Sequence, residues 1–133
     1  MNEAVEYLEL DDLIDLARML LGDPPPIGDV GLLGSAAARP QTTAFGQDAY
    51  PDVISKAAAL LQSIVINHGL VDGNKRLGWL ATAVFLELND VKASRANNDD
   101  VYELVIWVAS HNPGLDEIAA GLRRIIPKSH RRR

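Results

Sequence analysis

The chain has 133 residues, 47% of them hydrophobic, no cysteine and a formal net charge of −5. That length suits one domain burying about two-thirds of its unfolded surface, and the lack of cysteine excludes a disulfide framework, thiolate chemistry and a zinc–cysteine site. Six of the 13 cations fall in residues 123–133, which hold no acid, so residues 1–122 set seven cations against 18 acids, a net of −11 that excludes general nucleic-acid binding through a basic face.

The opening Glu3, Glu6 and Glu9 form no basic-then-apolar leader, and no apolar run is long enough for a membrane span, so a cytoplasmic protein with no membrane partner is expected. Leu8 to Leu21 carries apolar residues at 10, 13, 14, 16, 17, 20 and 21, a spacing that predicts a helix with Asp11 as N-cap and Gly22 just beyond its end. Pro24-Pro25-Pro26 stops that helix and reads as a stiff linker. Asp29 caps a short helix through Ala38, with Leu32, Leu33, Ala36 and Ala37 inward and Pro40 ending it. Gln41 to Tyr50 has no periodicity and contains Gly46, so it reads as a surface loop, either a plain connector or a functional one.

Pro51 suits the first turn of the next helix, which runs from Asp52 to Ile66 and is apolar over more than one stripe. Such a helix is packed by several neighbours and should be central. Lys75 to Leu88 follows, with Leu77, Leu80, Ala81, Val84, Phe85 and Leu88 at period 3.6 and Asn89 closing it. Asn97 or Asn98 caps a fifth helix from Asp99 to Ser110, Pro113-Gly114 breaks the chain, and Leu115 to Ile126 forms the last helix before Pro127. No stretch alternates well enough to predict a strand. The expected fold is all-α: one domain of about six helices over residues 1–126, then a basic, disordered tail at 127–133 that reads as solubilising rather than as a nucleic-acid arm.

The chemistry concentrates in Asn67-His68-Gly69-Leu70-Val71-Asp72-Gly73-Asn74-Lys75-Arg76, between the two most apolar helices. Where the loop turns into a helix at Asp72-Gly73-Asn74, free backbone N–H groups should face outward. Together with Lys75 and Arg76 they make a site for an anion, phosphate above all. Adjacent helical residues diverge by about 100°, so the lysine and arginine would clasp different phosphates, one as a point charge and one as a fork. As plain solvated cations they would oppose the helix dipole, and a locally unfavourable choice of this kind points to function. His68 is one of three histidines, and imidazole is the side chain that changes charge near neutral pH, so it is the candidate general base. His111 and His130 lack such company. Asp72-Gly73 alone is also a common tight turn. Asn74 is a strong N-cap type, so a purely structural role is open to it beside a chemical one.

This stretch resembles the signature of the Fic/Doc family, His-x-Phe-x-(Asp/Glu)-(Gly/Ala)-Asn-(Gly/Lys)-Arg, and the similarity extends more loosely from Gly31-Leu32-Leu33 to Phe85-Leu86. Leu70 replaces the phenylalanine. Lysine before the arginine looks like the Doc (death-on-curing) branch, the toxins of toxin–antitoxin pairs. Trp79 stands where AMP-transferring members place a second arginine, which points away from AMP transfer.

The resemblance implies a mainly helical fold in which His68 is catalytic and Asp72 binds a Mg²⁺ that bridges phosphates. Gly73, Asn74, Lys75 and Arg76 would bind the phosphates of ATP, Asn74 giving its amide to an anion hole. It implies transfer of the γ-phosphate to a serine or threonine of a translation factor, elongation factor EF-Tu, which arrests translation. An AMP transferase on the same fold is the alternative, and a non-catalytic helical interaction module with a degenerate motif is a third reading. Residues matching Gln41 to Tyr50 form a flap beside the active site in Doc-like proteins. Many Fic proteins also carry a Ser/Thr-x-x-x-Glu-(Gly/Asn) brake, yet none of Glu3, Glu6, Glu9, Glu87, Glu103 and Glu117 precedes glycine or asparagine. The implied brake is a separate antitoxin whose disordered segment folds into a helix along a groove near the active site.

Overall fold

The computed structural model describes residues 4–128. Six α-helices account for most of them: α1 (Leu10–Leu21), α2 (Val30–Ala38), α3 (Val53–Asn67), α4 (Asn74–Leu88), α5 (Asn98–His111) and α6 (Leu115–Ile125). Short 3-10 turns follow α2 at Arg39–Gln41 and α4 at Ala93–Arg95. The fold is thus all-α, as the periodicity requires, and no helix of the described residues is long and apolar enough to cross a membrane. The arginines of the expected tail lie beyond Lys128, outside the described residues.

Local chemistry sets the helix ends. The backbone N–H of Glu9 donates to the Asp12 carboxylate at 2.8 Å, so Glu9 precedes the first turn of α1 and Asp11 lies within it rather than capping it. Asp29 accepts from Leu32 N–H at 3.2 Å, and Asp52 from Ser55 N–H at 2.8 Å. Pro51 therefore stands before the cap of α3, not in its first turn, because Asp52 takes the N-cap position and its side chain satisfies a free N–H of that turn. Asn97 caps α5 through the N–H groups of Asp99 and Asp100.

Helix α3 is the central element. Nine of its residues are buried, and it packs against α2, α4, α5 and α6. The α3–α4 seam is the closest: a Cβ at Gly78 would lie 2.6 Å from Val65 Cγ2, so the small residue sets the spacing of the two helices that carry the site.

The segment Gln41 to Tyr50 is not irregular throughout. Thr43–Ala44 (β1) pairs antiparallel with Gln47–Asp48 (β2) across a turn in which Phe45 and Gly46 have φ of 54° and 77°. Positive φ at both turn residues is the tight-hairpin geometry. Two-residue strands are too short to show alternation, so the hairpin left no periodic trace. It is tied to the core by cations: the buried Lys56 ammonium donates to Asp48 Oδ2 at 3.0 Å and to the Tyr50 carbonyl, while Arg39 reaches the Tyr50 hydroxyl, Gln62 and Ser63.

Candidate active site

Helix α3 ends in His68, whose backbone is left-handed at φ 57° and ψ 55°. One left-handed residue reverses a chain at a helix end, a place glycine usually takes; a histidine there carries a conformational cost of about 1 kcal/mol. The next residues are clamped from the side. The Gly69 carbonyl accepts from the N–H groups of Gly28 and Asp29, each at 2.9 Å, and Val71 N–H donates to the Pro26 carbonyl at 2.8 Å. Ile27 and Leu70 form a β-bridge between the two segments. The triple-proline stretch is therefore more than a linker: its rigid exit holds the site loop.

Asp72 Oδ1 accepts from Gly73 N–H at 2.9 Å. Gly73, at φ 90°, is the N-cap of α4, and a Cβ there would lie 2.7 Å from Leu21 at the end of α1. Asn74 is the first helical residue, not the cap. Its Oδ1 accepts from Leu70 N–H at 2.9 Å and its Nδ2 donates to the Leu70 carbonyl at 3.0 Å. The amide thus fixes the loop, which is the structural role. No side chain caps the first turn of α4, so its backbone N–H groups remain available to an anion.

These elements close round a cleft of about 320 Å³ lined by His68, Leu70 to Arg76, Val65 and Ala109 of α5. All six residues singled out from the sequence, His68, Asp72, Gly73, Asn74, Lys75 and Arg76, line it. His68, Asp72, Lys75 and Arg76 are exposed, and among the described residues none of Asp72, Lys75 and Arg76 is in a salt bridge. Uncompensated cations beside free N–H groups leave the mouth of the cleft electropositive within an acidic body. His111 ends α5 away from the cleft lining, and His130 lies outside the described residues.

A magnesium ion fits this donor set only as a partner of phosphate. Among the described residues no three metal-ligating side chains gather, and Asp72 is the sole carboxylate in the cleft lining. Magnesium takes one or two carboxylates with phosphate oxygens and water completing its shell, so a single exposed aspartate is compatible.

Two features escaped the sequence. The hairpin β1–β2 contributes nothing to the cleft lining, being tied to Lys56 in the first turn of α3. A second, apolar cavity of about 470 Å³ lies between α1, α4 and α5, with Leu20, Trp79, Leu80 and Val105 in its walls and Lys75 and Arg76 at one end. Tyr102 of α5, a large and exposed side chain, also lines it, and no local pattern in the sequence pointed to this cavity.

The left-handed histidine and the uncapped, cation-bearing helix start stand on one all-helical scaffold, and the chain belongs to the Fic/DOC family, whose model matches residues 7–86. That match runs from before α1 to the last turns of α4, wider than the motif's own neighbourhood. The chain is similar to Toxin Doc of Mycolicibacterium smegmatis (strain ATCC 700084 / mc(2)155), with 46% identity over 118 residues, covering 88% of this chain and 91% of that protein.

Proposed function

We propose that the protein is a Doc-type toxin that transfers the γ-phosphate of ATP to a serine or threonine hydroxyl of a translation elongation factor. The observation that carries this reading is Lys75 and Arg76, in no salt bridge among the described residues and beside the free N–H groups of α4 in the same cleft as His68, with Trp79 where a second arginine would favour AMP transfer. Phosphoryl transfer needs positioning and charge stabilisation more than covalent chemistry. His68 takes the proton of the attacking hydroxyl as its oxygen bonds to the γ-phosphorus. The bond from that phosphorus to the bridging oxygen breaks, and ADP leaves with the electron pair. Lys75, Arg76 and the N–H groups of α4 hold the charge that shifts onto the phosphate oxygens. Asp72 would hold Mg²⁺, which neutralises part of the phosphate charge.

The similarity to a protein named Toxin Doc supports the toxin half of the reading, and a toxin without its own brake needs a partner. That partner is an antitoxin with a segment that is disordered alone and helical when bound.

The test is incubation of purified protein with candidate targets and ATP labelled at the α or the γ position. Label carried only from γ supports the kinase. Label from α makes the protein an AMP transferase, and no transfer leaves a binding module. In cells, expression of this chain alone should arrest growth, and co-expression of the adjacent reading frame should relieve it.

A further inference from the structure

We infer that the apolar cavity beside the cleft is the nucleoside pocket of the same site, with Trp79 as its stacking platform. This rests on the phosphate reading above and adds where the rest of the nucleotide lies. Lys75 and Arg76 line both cavities, so the cleft and the groove share a wall. Trp79 and Leu80 lie one helical turn further along α4, on the groove side. The facing helix shows the same continuity: Ala109 of α5 lines the cleft, while Val105, Tyr102 and Asn98 line the groove.

Ala109 and Tyr102 are seven residues apart, about 10 Å along a helix axis. That is the kind of reach that separates the terminal phosphate of a nucleoside triphosphate from its sugar and base. The chemistry changes over this distance from free N–H groups and cations to aromatic and aliphatic walls. A triphosphate with a flat base at one end has the same polarity. Trp79 is half-buried and Tyr102 is 67% exposed, so one aromatic is held by packing and the other is free to close on a ligand. Asn98 at the rim offers an amide donor and acceptor for a base edge. The occupant is thus the base and ribose of a nucleotide whose phosphates sit at the start of α4.

Binding to the full chain tests this with two probes, ATP and inorganic tripolyphosphate, measured by calorimetry. Base stacking on an aromatic side chain is worth on the order of tenfold in affinity or more. W79L, which keeps bulk without the indole, should lose roughly tenfold for ATP and nothing for tripolyphosphate, while W79F should retain most ATP affinity. A W107F background leaves Trp79 as the single tryptophan. Its emission should change with ATP and stay constant with tripolyphosphate. Equal losses for both probes, or an ATP affinity untouched by W79L, would overturn the nucleoside pocket while the phosphate site stands. Tripolyphosphate that does not bind wild-type protein overturns the phosphate site and this pocket together.

Discussion

The side chain of Asn74 makes a closed pair with the backbone of Leu70, accepting its N–H at 2.9 Å and donating to its carbonyl at 3.0 Å. Leu70 is buried, so water does not reach these groups readily, and an unsatisfied buried donor or acceptor costs about 1–3 kcal/mol. Asn74→Ala should therefore destabilise the protein by about 2 kcal/mol in urea unfolding. Asn74→Asp, which keeps the acceptor and loses the donor, should fall between it and wild type. Equal stability of all three proteins would mean that the loop holds its shape without the amide.

His68 carries the conformational cost of a left-handed backbone at the end of α3. Glycine tolerates its left-handed backbone without the Cβ conflict, so His68→Gly should be more stable than His68→Ala by about 1 kcal/mol. Neither variant should transfer phosphate at more than about a hundredth of the wild-type rate, the lower range of a lost general base. Retained transfer in His68→Gly would remove the assigned role.

Asp72→Asn keeps an oxygen for Gly73 N–H and so should leave the thermal midpoint unchanged. Its ATP binding should lose most of its magnesium dependence, because an amide is a far weaker magnesium ligand than a carboxylate. Titrating Mg²⁺ against ATP affinity in both proteins checks this; identical curves would place the metal's protein ligand elsewhere.

Lys56 is 1% exposed, and its ammonium bridges Asp48 and the Tyr50 carbonyl. Lys56→Met fills the same space but leaves that carbonyl without its donor and the hairpin without its main tie to α3. Limited proteolysis should then cut within residues 42–49 markedly faster than in wild type, while α1 to α6 keep their helical signal. Unaltered cleavage would mean that Arg39 and Tyr50 suffice.

The Asp52 cap should give the protein an acid-sensitive term. Burial works to raise its pKa, but the hydrogen bond from Ser55 and the Arg123 guanidinium at 3.0 Å outweigh that and leave it below the ordinary aspartate value of 3.8. A carboxylate lowered in the folded state stabilises above its unfolded pKa and loses that contribution as pH falls through the folded one. Stability should thus decline below pH of about 4, and Asp52→Asn should flatten that decline. The loss should be modest, since both partners are largely solvated. An acid limb of unchanged steepness in the variant would assign the effect to other carboxylates.

The sequence by itself determined the helices and the chemical inventory of the site. Period-3.6 apolar spacing needs only neighbouring residues to be read, and it placed all six helices to within a few residues of where they stand. The site was equally local, because His68 to Arg76 is one continuous run whose end residues are joined by a single tight loop. Tertiary structure decided what those residues touch. Asn74 has the side chain of a cap, but Leu70 folds back within its reach and takes both ends of its amide. Pro26 reads as linker, yet its carbonyl and the N–H groups of Gly28 and Asp29 just beyond it hold the loop through hydrogen bonds spanning about forty residues, which no local pattern encodes. The apolar cavity joining Leu20, Trp79 and Tyr102 exists only because three helices distant in sequence meet at one angle, and packing rather than periodicity sets that angle.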